Sequence, residues 1–194
     1  NGDVRIHCTD ETKQDYRMPV PPEILDMIRQ SERIRVEFKS KIDDNFHKHI
    51  MAFANRYGGH ILVGVAGKIS ADGSQTGELV GFESQNIDKD KQKIDSWARD
   101  LRPAVTLLAN QEYPLENGRW LLHVRVKEQS EKPVGTGAGL YKIRTHSGDN
   151  PMDHAAMRAA ILEEERALSS LCPCLLRNIE HAQAVLQHLH QGSM

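Results

Sequence analysis

The sequence predicts an α+β (mixed α/β) fold, a largely antiparallel sheet flanked by helices with more helix at the C-terminal end. Three observations carry this. Strand-like and helix-like hydrophobic periods alternate along the chain: "RIRVEFK" repeats every second residue and "NFHKHIMAFANRY" every third or fourth. Several strand-like runs are separated by turn-like segments such as "ADGSQTG". The 194 residues, 39% hydrophobic and 27% charged, form a globular chain long enough to bury a core.

The elements follow in order. "PPEILDMIRQ" opens with prolines suited to a helix entry and sets Ile24, Leu25 and Ile28 on one face. In "RIRVEFK" Ile34, Val36 and Phe38 point one way, and Arg33, Arg35, Glu37 and Lys39 the other, which predicts a half-buried strand with a charged outer face. The next helix carries Phe46, Ile50, Phe53 and Ala54 inward and ends at Gly58–Gly59, and "HILVGV" reads as one central strand. "ELVGFE" reads as its return strand. "NIDKDKQKIDSWARDL" is an amphipathic helix capped by Asn86, with Ile87, Ile94, Trp97 and Leu101 toward the core. Strands are expected around "AVTLLANQEY", "RWLLHVRVKE" and "LYKIRTH". Then "DNPMDHAAMRAAILEEERAL" predicts a helix with Asn150 as its cap and Pro151 at its first position. The last helix places Leu175, Ile179, Ala182, Leu186 and Leu189 on a stripe that packs on the domain's own core or on a partner helix.

This divides the chain into an N-terminal extension and helix (1–27), a main domain (28–165), a C-terminal helix (166–191) and an appended remnant (192–194). Starting at Asn1, the chain reads as a piece of a longer protein. A net charge of −2 argues against an indiscriminately basic nucleic-acid coat but leaves room for a local basic groove. Cys8, Cys172 and Cys174 have no disulfide-framework spacing, so the expected compartment is intracellular, cytoplasmic first, with nucleus and organelle left open. No apolar run approaches the roughly 20 residues of a membrane span, and no signal peptide is visible.

The candidate chemistry centres on Glu32 and Glu37. In one regular strand they would lie on opposite faces, about 16 Å apart at roughly 3.3 Å per residue. Sharing a metal requires a bend before Arg33. A carboxylate pair of that kind suits Mg²⁺ or Mn²⁺, with Arg33, Arg35 and Lys39 left for phosphates. The alternative is an exposed strand face of alternating charge, which stabilises little. A second candidate is a basic stripe: Arg125 and Lys127 on one strand, Lys142 and Arg144 on another, if those strands are neighbours. Aromatic residues are only 5% of the chain, which favours backbone or shape recognition over extensive base stacking. "VGTGAGLYK" leads into a strand and no "GxxxxGK[ST]" loop exists, so no ATP site is evident. Cys172, Cys174 and His181 match structural zinc spacing poorly.

Taken in order, "SERIRVEFK", "IMAFANRYGGHILVGV", "ELVGFE" and "LYKIRTHSG" resemble the Schlafen core domain, the AlbA-like domain of the Schlafen and divergent AAA-ATPase-like superfamily, over about residues 28–165. A single-lobe Schlafen-like protein of animals is the nearest kind. "AFAN-x-x-GG-x-x-x-x-GV" is the most specific block. The resemblance implies a mixed sheet flanked by helices that binds structured RNA and pairs with another copy or a related Schlafen-fold subunit. Nuclease-active members cut RNA of the tRNA or small-RNA-precursor class with three carboxylates. The first two correspond to Glu32 and Glu37, which would hold Mg²⁺ or Mn²⁺, while Lys39 neutralises phosphate. The third usually follows "GV" by one or two positions, where Ala66 and Gly67 stand, and Asp72 is the nearest carboxylate. Two functions are therefore carried forward: a metal-dependent endoribonuclease domain using Glu32, Glu37 and Asp72, and a catalytically silent RNA-binding or assembly subunit. In both, Lys39, Arg35, Arg125, Lys127, Lys142 and Arg144 are the expected RNA contacts.

Overall fold

A computed structural model describes residues 19–30, 34–69, 75–146, 148–163 and 165–166. Glu32, Asp72, the cysteines, His181 and the expected stripe from Leu175 to Leu189 lie outside these residues. Helix α1 (Pro22–Arg29) leads to strand β1 (Val36–Lys39), helix α2 (Phe46–Ala54) and strand β2 (Gly59–Val63). The hairpin β3 (Val65–Ile69) and β4 (Gln75–Leu79) precedes α3 (Ile87–Asp100), β5 (Leu107–Pro114) and β6 (Trp120–Val126). A second hairpin, β7 (Lys142–Thr145) and β8 (Gly148–Pro151), is followed by a fourth helix, α4, over residues 154–163.

The main sheet has the order β1-β2-β6-β5. β1 and β2 are parallel, as the intervening helix α2 requires, and the other pairs are antiparallel. Each face is covered. On one side α2 and α3 bury Phe46, Ile50, Phe53 and Ile94 against Ile61, Val63, Leu122 and Val124. On the other, Ile24 and Ile28 of α1 pack on Phe38, Leu62 and Leu121. Full burial of each such side chain contributes about 1.5–3 kcal/mol. The cap expected at Asn86 is present, its side chain accepting from Lys89 N at 3.0 Å.

Three local expectations are corrected. "HILVGV" is not one strand: Gly64, at φ +94°, turns the chain between β2 and β3. A Cβ there would meet the Trp120 carbonyl oxygen at 2.6 Å, so the turn needs glycine. "ELVGFE" is strand only to Leu79, and Phe82 forms an isolated bridge to Trp120. Asn150 and Pro151 do not open a helix. They pair with Ile143 and Lys142 in the β7–β8 hairpin, and Asp153 Oδ1 instead accepts from Ala156 N at 2.7 Å at the start of α4. Among the described residues, no helix is long and apolar enough to cross a membrane.

Candidate nucleic-acid interface and the Glu37 network

On the charged face of β1 Glu37 is buried, against the expectation of an outer face, while Lys39 is partly covered and Arg35, just before the strand, is exposed. Glu37 shares its side of the sheet with Ile61, its partner on β2, and α2 covers that side. Glu37 is only 7% exposed, and its carboxylate is met by cations on both oxygens. Arg144 Nη1 lies 2.5 Å from Oε2, and Lys39 Nζ lies 2.8 Å from Oε1. Arg144 Nη1 also reaches Asp149 Oδ1 at 3.0 Å, and its Nη2 donates to the Val36 carbonyl at 3.1 Å. His49 pairs with Asp149 Oδ2 and lies 3.7 Å from Glu37. The Arg144 guanidinium sits 4.9 Å over the Phe53 ring.

The titration behaviour follows from this packing. Burial opposes the charge on Arg144, but Glu37 and Asp149 outweigh it and raise its pKa above the ordinary arginine value. Burial would raise the Asp149 carboxyl, but His49 and Arg144 outweigh it and hold it below its usual range. Each Glu37 oxygen already faces a cation, and among the described residues no group of three His, Cys, Asp or Glu side chains could hold a metal ion.

The "AFAN-x-x-GG" block explains how the network is assembled. Phe53 lies under Arg144. Asn55 is buried and accepts from Val134 N at 2.7 Å, while its amide donates to the Val134 and Lys142 carbonyls at 2.8 Å each. That bonding pins β7, and therefore Arg144, onto α2. Gly58, at φ +62°, ends the helix where a Cβ would meet the Val126 carbonyl oxygen at 2.7 Å.

The same turn builds a second, opposite kind of site. It brings exposed Arg56 and Tyr57 beside the ends of β1 and β6. Tyr57 is 44% exposed, with the Arg56 guanidinium 4.8 Å and the Arg35 guanidinium 5.4 Å from its ring centre. The Arg35 carbonyl accepts from His60 N at 2.8 Å, and His60 faces Arg125 across the β2–β6 ladder. Lys127 follows two residues on and is exposed. Among the described residues, no carboxylate pairs with Arg35, Arg56 or Arg125. Thus β2 brings together Arg35, Arg125 and Lys127. Lys142 and Arg144 do not join them, because β6 lies between β2 and β5 while β7 pairs with β8. Sequence reasoning missed Arg56 and Tyr57. The signal was available in their position just before the Gly58–Gly59 turn.

Lys39 also lines a shallow cavity of about 360 Å³ with Ser40, Lys41, Asp43, Ala66 and Gly67. Ala66 and Gly67 therefore stand at a cavity wall beside β1, and neither supplies a carboxylate.

A family model described as Schlafen, AlbA_2 matches residues 32–153. No curated protein matches the chain. Among solved structures, the N-terminal domain of a putative ATP-dependent DNA helicase RecG-related protein from Nitrosomonas europaea is 28% identical, with 68% of this chain and 92% of that one covered and a TM-score of 0.43. The DIP2311 protein from Corynebacterium diphtheriae is 19% identical, with 64% of this chain and 23% of that one covered and a TM-score of 0.42.

Proposed function

The chain belongs to the Schlafen, AlbA_2 family, and on that premise we propose that it is an RNA-binding domain that grips the phosphate backbone of structured RNA through Arg35, Arg56, Arg125 and Lys127. The observation that carries this reading is the convergence of the Arg35 and Arg56 guanidiniums on exposed Tyr57, neither of them ion-paired to a described carboxylate. Exposed unpaired cations raise the local concentration of a polyanion, and an aromatic face among them offers a base one stacking surface. The net charge of −2 confines that attraction to the cluster. The RNA class comes from the Schlafen resemblance: tRNA or small-RNA precursors. Pairing with a second copy or a related subunit belongs to the same proposal, and sedimentation of the purified chain tests it.

The catalytically silent form of this function is better supported than the endoribonuclease. Glu37 is engaged by Arg144 and Lys39, and Ala66 and Gly67 line the wall where a third carboxylate is expected. The decisive experiment measures anisotropy of a labelled RNA hairpin across a salt series, alongside a cleavage assay with Mn²⁺ or EDTA. Salt-sensitive binding without cutting is the expected result. Mn²⁺-dependent cutting abolished by Glu37→Ala would restore the endoribonuclease reading, and salt-independent or absent binding would remove RNA binding altogether.

A further inference from the structure

Directly beside the basic cluster lies a pair of histidines that the binding surface does not by itself require. His60 Nδ1 and His123 Nε2 are 2.8 Å apart, and their rings stack with centres 5.1 Å apart and planes at 7°. His123 is 9% exposed, whereas His60 is only partly covered. A bond between two imidazoles needs one donor and one acceptor, so a proton on both facing nitrogens would break it. The charged groups that act on His60 are Arg35, from the turn before β1, and Arg125, from β6. Val36 beside it on β1 is uncharged, as is Gln111, which faces His123 from β5.

We propose that His60 is a proton-switched phosphate contact: His123 stays neutral and accepts the His60 Nδ1–H, and a backbone phosphate held by Arg35 and Arg125 is met by a proton taken up on His60 Nε2. This rests on the RNA-binding reading and deepens it. His123 is the positioning residue, since burial, then His60 and Arg125, push its pKa down to about 4 and keep it an acceptor at neutral pH. In the free protein His60 is neutral as well, because burial, Arg125 and Arg35 all lower its pKa. A phosphate placed among the same groups reverses the sign of the field and favours the imidazolium, whose second N–H is a charge-assisted donor to that phosphate. Binding and proton uptake are then linked, and each must strengthen the other.

The probe is a fluorescein-labelled RNA hairpin, titrated at constant ionic strength between about pH 8 and pH 6. Affinity is expected to rise toward acid by up to about tenfold per pH unit, the limit for one proton. His60→Gln should flatten the profile. His123→Leu should shift it, and His123→Gln, which retains an acceptor, should restore it. Calorimetry of the wild-type protein in two buffers of different ionisation heat should show net proton uptake on binding, a readout independent of any variant's folding. Tight binding with a flat profile and no proton uptake would overturn the switch while leaving RNA binding intact. Absence of binding at every pH would overturn both.

Discussion

Around Glu37, carboxylates and bases lie within hydrogen-bonding distance and neutralise one another; around Tyr57, two guanidiniums, those of Arg35 and Arg56, gather without an ion pair to any described carboxylate. The two regions share their scaffolding. β1 supplies Glu37 and Lys39 to the first, and Arg35 just before it to the second, while α2 supplies Phe53 to one and the turn after it supplies Tyr57 to the other. The difference is cover. α2 and the β7–β8 hairpin close over Glu37, and a buried charge must be paired. Tyr57 borders a cavity that it lines with Arg56, Glu128 and Glu163, but it stays well exposed, so its cations remain hydrated and available to a ligand.

The largest effect is expected at Arg144. It is 4% exposed and holds both Glu37 and Asp149. Arg144→Met should leave two buried carboxylates without their guanidinium and cost about 3–5 kcal/mol in urea unfolding. Glu37→Gln added to it should recover part of that loss, since one orphaned charge is removed. A loss below about 1 kcal/mol for the single variant would show that the network is loosely held.

A smaller effect separates the regions by pH. The folded-state pKa of His123 is lowered to about 4 from 6.5, so the unfolded chain binds more protons between those values. Its contribution is present above about pH 6.5 and is lost as pH falls toward 4, by up to about 3 kcal/mol. The Asp149 carboxyl is held down instead, so its contribution disappears only at still lower pH, as acid approaches its depressed folded value. Urea midpoints measured across this range should therefore fall in two stages, and His123→Gln should shrink the first to the part left by His60, whose pKa is also lowered. A single stage in that variant and in wild type alike would assign the acid sensitivity elsewhere.

At the basic cluster the expectation inverts: binding changes and stability hardly does. Arg125 is exposed and forms no ion pair among the described residues. Arg125→Gln should reduce the slope of log affinity against log salt by about 0.7–0.9, one phosphate contact, while leaving the urea midpoint almost unchanged. An unaltered slope would place the RNA elsewhere on the surface.

Which of these features the sequence disclosed follows from the range of the interactions. Period and capping are local, so α2, the Asn86 cap and the alternation in β1 could all be read directly. Alternation shows that Glu37 and Phe38 face opposite ways; it does not say that both faces are covered. The partner that buries Glu37, Arg144, is 107 positions away in the chain and reaches it only because Asn55 fixes β7 on α2. The same distance problem hid the true neighbours of Arg125, which are decided by strand order. Asn150–Pro151 misled for a different reason. A cap-like dipeptide is also acceptable at a hairpin edge, and pairing with Ile143 and Lys142 prevailed.

The smallest expected effect, at Lys39, belongs to both regimes. Its Nζ contacts Glu37, yet its side chain is 25% exposed and lines the cavity with Lys41. Because Arg144 already neutralises Glu37 from the buried side, and because solvent screens the Lys39 contact, Lys39→Met should cost no more than about 1 kcal/mol. If RNA also reaches this cavity, the same substitution should weaken binding in a salt-dependent way, as Arg125→Gln does. A variant that loses stability on the Arg144 scale would make Lys39 a structural member of the network. A variant that loses only RNA affinity would make it the point where the paired and unpaired halves of the molecule meet on one ligand.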